Sequence, residues 1–306
     1  MSRLLFVTCI ALFLAAAVNA ENIPGIGPAG EITQVATGLQ FTEGPAVDAQ
    51  GNVYFTDVRA NRIHKLDAAG QMTTFMENTD GANGLMFDKA GMLYACQGGK
   101  GRIVKIDVAT KQVTPIAEQY NGKPFNRPND LVLDSAGGVY FTDPMFGRGE
   151  AAQDVQAVYY VDKGGKVTRL IGDLERPNGV LLSPDEKTLY VLPSGAAVVM
   201  AYPVQSPGKM GQGRVLSEMM KPEQGQPRGG DGLTVDTKGN LYVTVPALSG
   251  IQVISPDGKT LGFIKFPEGP SNCCFGGKDM KTLYVTARTS VYAVPMEATG
   301  HRFAAK

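Results

Sequence analysis

Six positions along the chain place an oxygen-bearing side chain at the head of a short apolar run: Glu43, Asn83, Asn129, Asn178, Asp231 and Asn272. Carboxylate and amide oxygens, with no positioned thiol or imidazole among them, suit a hard divalent cation. Ca²⁺ comes first, then Mg²⁺ or Mn²⁺, with Zn²⁺ open where carboxylates and water complete its shell. Asn before a strand also suits a simple turn, which accounts for Asn83 and Asn178, each followed by glycine. It accounts poorly for Glu43. Nor does it explain Glu43 and Asp231 together if all six share one axis, because like charges at short range are costly without a cation or a proton between them. Only 2 histidines occur, His64 and His301. A Ser-His-Asp system therefore lacks its base, and Ser194 and Ser249 have no evident partner. The chemistry left to these residues is hydrolysis by cation-activated water.

The elements that must position this set are legible as a repeat. After each head residue come a short apolar run, a polar turn (usually D-x-x-G) and a second apolar run carrying a tyrosine: Tyr54, Tyr94, Tyr140, Tyr190, Tyr242 and Tyr284. Head and tyrosine are separated by 11, 11, 11, 12, 11 and 12 residues, and successive heads by 40, 46, 49, 53 and 41. That period is the length of a four-stranded propeller blade. Third strands are expected at Arg62, Arg102, Val158, Val198, Ile251 and Val291, and fourth strands at Met72, Val113, Val167, Arg214 and Leu261. No long stretch has a helical period. The sequence predicts an all-β, six-bladed β-propeller whose sixth blade lacks its own fourth strand. The segment Glu31 to Val35 should supply it and close the ring.

In that frame all six heads face one end of a central channel. The turn aspartates Asp48, Asp88, Asp134 and Asp236 lie at the other end. Asp57 and Asp143 close their second strands near the mouth, where they either contact substrate or satisfy loop amides. Arg127 enters the ring two residues before Asn129, either as a donor to substrate oxygens or as a surface arginine.

Lys+Arg and Asp+Glu both number 29, giving zero net charge. No basic stripe points to a nucleic-acid partner. Arg3, the apolar run from Leu4 to Val18 and the small residue at Ala20 make residues 1–20 a signal peptide, leaving one domain over residues 21–306. The run is short for a bilayer span, so a periplasmic or secreted protein free of the membrane is expected. Cys96, Cys273 and Cys274 then remain. Their odd number and the adjacency of the last two make them buried, unpaired thiols.

The motifs resemble those of the regucalcin/gluconolactonase (senescence marker protein) family: Glu43 in F-T-E-G-P, Arg127 and Asn129 in R-P-N-D-L, Asn178 in R-P-N-G-V, and Asp231 in G-G-D-G-L. Asn272 in S-N-C-C-F-G-G resembles its bacterial gluconolactonase branch. The resemblance implies a divalent cation held by Glu43, Asn178 and Asp231, with Asn129 at or beside it and Arg127 on the substrate. It also implies lactone hydrolysis. A related branch acts on organophosphates, and strictosidine-synthase-like relatives do other chemistry without this set. The signal segment departs from the cytosolic animal members.

The expected function is cation-dependent hydrolysis of a small sugar lactone to the aldonic acid. Water is activated by the cation or by Asp231, and Arg127, Asn83, Asn129, Asn272 and Asp143 are the candidate substrate-binding residues. Two alternatives stand beside it: a hydrolase of another ester or a phosphotriester, and a non-enzymatic propeller that binds a sugar or a protein.

Overall fold

The computed structural model describes residues 22–147, 149–226 and 228–303. The signal segment expected over residues 1–20 lies outside them. Among the described residues, no helix is long and apolar enough to cross a membrane.

Six antiparallel sheets are arranged as a β-propeller. Blade 1 runs through Thr42–Val47, Val53–Asp57, Arg62–Leu66 and Met72–Glu77, and blade 2 through Ala82–Phe87, Met92–Gln97, Arg102–Asp107 and Val113–Ala117. Blade 3 comprises Leu131–Leu133, Val139–Asp143, Ala157–Val161 and Val167–Ile171. Blade 4 comprises Pro177–Leu182, Thr188–Pro193, Val198–Ser206 and Arg214–Glu218, with an unforeseen short strand, Lys209–Met210, on its third strand. Blade 5 holds Leu233–Val235, Leu241–Val245, Gly250–Ile254 and Thr260–Lys265. Blade 6 holds Asn272–Gly276, Thr282–Ala287 and Ser290–Pro295. The first strands of successive blades touch one another around the axis.

Blade 6 is completed by Thr33–Ala36, which pairs with Ser290–Pro295. The closure falls where the sequence places it, but the strand is not Glu31 to Val35. A bulge between Gln34 and Ala36 carries the pairing on to Ala36↔Val291. Gln34 ties the seam further, its side-chain amide donating to Ser290 Oγ at 3.0 Å and to Tyr292 Oη at 3.4 Å.

The core lies between blades, where the faces of neighbouring sheets meet. Tyr54, Tyr140, Tyr242 and Phe55, Phe141 and Phe275 are all fully buried there. Cys96 and Cys273 are buried and Cys274 partly so, all three free thiols as expected. The D-x-x-G aspartates are turn residues: the Asp48, Asp88, Asp134 and Asp236 carboxylates each accept from the backbone N–H four positions on. Gly51, Gly91, Gly137 and Gly239 supply the positive φ that these turns demand.

Candidate metal centre and substrate cavity

In blades 1, 2 and 4 the innermost strand is bulged at or beside the head residue. Register shifts fall between Glu43 and Ala46, Ala82 and Leu85, and Pro177 and Val180. A bulge re-aims a side chain out of the regular ladder. The glycine that follows most heads has a different task from making a turn. A Cβ on Gly84 would meet the Asn129 carbonyl oxygen at 2.8 Å and Asp130 Oδ1 at 2.6 Å, and one on Gly179 the Asp231 carbonyl oxygen at 2.5 Å. Instead, Gly84 N–H donates to Asn129 O (2.8 Å) and Gly179 N–H to Asp231 O (2.9 Å), stitching each blade to the next.

Buried threonines two residues past the tyrosine add a second stitch. Thr56 Oγ1 donates to Asn83 O at 3.2 Å, and Thr142 Oγ1 to Asn178 O at 2.6 Å, each across a blade boundary. Thr244 Oγ1 reaches Ser271 O at 3.0 Å, and Ser271 Oγ reaches Thr42 O at 2.6 Å. The head residues thus stand on a hydrogen-bonded collar, and Cys96 occupies the matching place in blade 2.

Above the collar opens a cavity of about 700 Å³, lined by Glu43, Asn83, Asn129, Asn178 and Asp231 together with Arg127. Asn272 belongs to the collar but lines the narrower channel beneath, about 100 Å³, whose far end is bordered by His301, Arg302 and Phe303. Its Oδ1 accepts the Cys273 N–H at 2.8 Å. It is therefore displaced from the substrate-binding set. Asp143 leaves that set as well. It is fully buried and does not line the cavity. Its carboxylate accepts from Asn126 N–H at 2.9 Å and Arg127 N–H at 2.8 Å, so it satisfies loop amides. Asp57 does the same for Gln40 and Phe41, both at 2.9 Å. Each of these two carboxylates holds the loop that delivers a head residue. Arg127 itself is exposed to the cavity.

A third carboxylate, Asp130, joins Glu43 and Asp231 at the axis, on the channel side. Burial pushes the Asp130 carboxyl up to about 7, against hydrogen bonds from Leu131 and Asn272 that lower it. Burial likewise lifts Asp231 to about 7, with the Asn178 amide lowering it and the Asp130 charge raising it. Glu43 lies well above the usual carboxylate range, through burial and then the charge of Asp231. Burial, neighbouring carboxylates, side-chain amides and backbone N–H groups set these shifts. A buried cluster of carboxyls suits a bound cation.

Among the described residues no three His, Cys, Asp or Glu side chains form a metal-holding group. A cation above the collar would therefore draw on Glu43 and Asp231 with the amide oxygens of Asn129 and Asn178. The two N–H groups of Asn178 are engaged by Ser194 Oγ (3.0 Å) and Asp231 Oδ1 (2.7 Å), which leaves its oxygen as the ligand atom. No histidine lines the cavity. His64 sits in the third strand of blade 1, stacked on Phe55.

Residues 41–289 match the family model described as the SMP-30/Gluconolactonase/LRE-like region. The chain is 36% identical over 203 residues to the gluconolactonase of Zymomonas mobilis subsp. mobilis, covering 62% of this chain and 56% of that protein. It is 33% identical over 189 residues to the regucalcin of Danio rerio, covering 58% and 59%. The alignments thus span little more than half the length of these relatives. Among solved structures, a gluconolactonase from Xanthomonas campestris superposes with a TM-score of 0.79 at 27% identity, covering 92% of this chain and 99% of that one.

Proposed function

Because the chain belongs to the SMP-30/gluconolactonase/LRE-like family, we propose that it hydrolyses a small sugar lactone to the aldonic acid with the help of one divalent cation. The observation that carries this is the buried cluster of Glu43, Asp130 and Asp231 at the base of a cavity that also presents Arg127 and the side-chain amides of Asn83, Asn129 and Asn178. The gluconolactonases among its relatives support the lactone as substrate.

A divalent cation held by Glu43, Asn129, Asn178 and Asp231 would act as a Lewis acid on the lactone carbonyl, with Ca²⁺ the ion this oxygen set favours and Mg²⁺, Mn²⁺ or Zn²⁺ as substitutes. The residues of the chain do the rest. Arg127 and Asn83 donate to the substrate hydroxyls and fix the face of the ring. Asp231, the one axial carboxylate of the three that is partly open to the cavity, accepts a proton as water attacks the carbonyl carbon. The acyl C–O bond of the ring then breaks, and the departing oxygen takes up a proton to become the new hydroxyl. The cavity holds no histidine to take Asp231's place. The charged start and apolar run of residues 1–20 support export to the periplasm or beyond.

The test is hydrolysis of a panel of aldonolactones by cation-stripped and cation-reconstituted protein. Activity should appear only after reconstitution, together with a rise in melting temperature. Full turnover by protein shown metal-free by elemental analysis would overturn the proposal.

A further inference from the structure

The cavity is not centred on the axis. Among the described residues, blades 4 and 5 contribute only Asn178 and Asp231 to its lining, and blade 6 contributes nothing. Everything else comes from blades 1, 2 and 3, so the space leans outward over blade 2. Beyond Asn83, what blade 2 offers there is glycine backbone: Gly98 and Gly99 directly follow the second strand of that blade, and Gly81 directly precedes its first. Phe41 and Val58 of blade 1 stand on one side, and Met145 and Phe146 of blade 3 on the other. Phe41 is braced, its ring carrying the Arg59 guanidinium 5.2 Å from the centroid and its N–H held by Asp57 at 2.9 Å.

A glycine floor between two apolar walls is a slot for something flat. A cavity of about 700 Å³ stands in the upper part of the roughly 300–1,000 Å³ range that encloses drug-sized ligands, and a single-ring lactone is far smaller than those. A pyranose has C–H groups on its faces and hydroxyls around its edge. The slot answers both, with aromatic and aliphatic walls for the faces and backbone and Arg127 for the edge.

We propose that this slot over blade 2 is a second sugar subsite, and that the preferred substrate is an aldonolactone bearing a glycosidically linked second ring. This rests on the lactonase function proposed above: the lactone ring lies over the axis and the second ring lies between Phe41 and Phe146.

Gly98 offers a clean probe. Its φ is not in the left-handed region, and an added Cβ would have Pro128 O at 3.5 Å, Gly81 O at 3.6 Å and Arg127 Cβ at 3.8 Å as its nearest neighbours, ordinary contacts. Gly98→Ala should therefore fold while narrowing the slot. The experiment measures kcat/KM for an aldobionolactone, the matching single-ring aldonolactone and an aryl lactone, using wild type, Gly98→Ala and Phe146→Ala. The wild type should favour the two-ring lactone by about tenfold over the single-ring one, and each variant should collapse that ratio toward one. Equal rates on the two sugar lactones in the wild type, equal losses on both in each variant, or preference for the aryl lactone would overturn the subsite. Hydrolysis of no lactone at all would instead refute the underlying lactonase function, and the subsite with it.

Discussion

Asn178 of blade 4 donates its side-chain N–H to the Asp231 carboxylate of blade 5 across 2.7 Å. The contact ties two collar residues together and presents Asp231 to the cavity as an acceptor in a fixed orientation.

Asn fits the head position in four of the six repeats, so Asp231→Asn should keep the fold and the bond to Asn178. Turnover with saturating cation and lactone should fall about 10²–10⁴-fold, the usual cost of losing a general base. Asn83→Asp adds charge to the same cavity without touching Asp231 and serves as the comparison. Near wild-type turnover in Asp231→Asn would remove Asp231 from catalysis.

The pH dependence of stability follows from the direction of the shifts. In the folded, cation-free protein the Asp130 and Asp231 carboxyls lie at about 7, above the value near 3.9 of an unfolded chain. Between those values the folded state holds more protons, so stability falls as pH rises through that window and is lowest above it. Burial shifts His64 and His301 downward, which opposes this trend only below their ordinary pKa of about 6.5. Cation-free protein should thus melt higher at about pH 6.5 than at about pH 8, and Asp231→Asn should flatten the difference. Added cation should stabilise most at the higher pH, where its ligands are ionised. A cation-free melting temperature that rises with pH over this interval would contradict the cluster's electrostatics.

The position of Arg127 depends on Asp143, which grips its backbone N–H at 2.8 Å. Asp143→Asn keeps one acceptor oxygen of the two. KM for the lactone should rise about 10-fold or more, the worth of a hydrogen bond to a charged group, with a smaller change in kcat. A fall confined to kcat would place Asp143 in the chemistry and not in the loop.

The collar tolerates no side chain where one blade meets the next. Gly179→Ala drives a Cβ to 2.5 Å from the Asp231 carbonyl oxygen. It should cost about 1–3 kcal/mol in denaturant unfolding and reduce cation affinity. Gly172→Ala, which meets the side chains of Val155 at 3.4 Å and Arg169 at 4.0 Å, should do neither.

The repeat made the propeller and most of the collar readable, because head residue and tyrosine recur at nearly constant spacing. Asp130 escaped for the same reason. It stands where Gly44, Gly84, Gly179 and Gly232 stand in other repeats. A carboxylate replacing a required glycine was the available signal, but Asn129 beside it filled the expected slot. Thr56, Thr142 and Thr244 were equally visible as a column, yet nothing in strand alternation says that their hydroxyls reach into the next blade. Phe41, Met145 and Phe146 had no periodic signal at all. They sit on connections whose lengths differ from blade to blade, and only the fold brings them around one cavity.

The seam at Thr33–Ala36 also sets an order of events in folding. Each of the first five blades is a run of hairpins between neighbours in the chain, so its contacts form at little entropic cost. The sixth must wait until Thr33 finds Ala293 near the other end of the chain, and the outer edge of that blade stays unpaired until it does. Proteins dominated by such distant pairings fold slowly. Closure of the ring is the step expected to be slow, and it is the step that sets Asn272, whose side chain bonds the Glu43 carboxyl, beside Glu43.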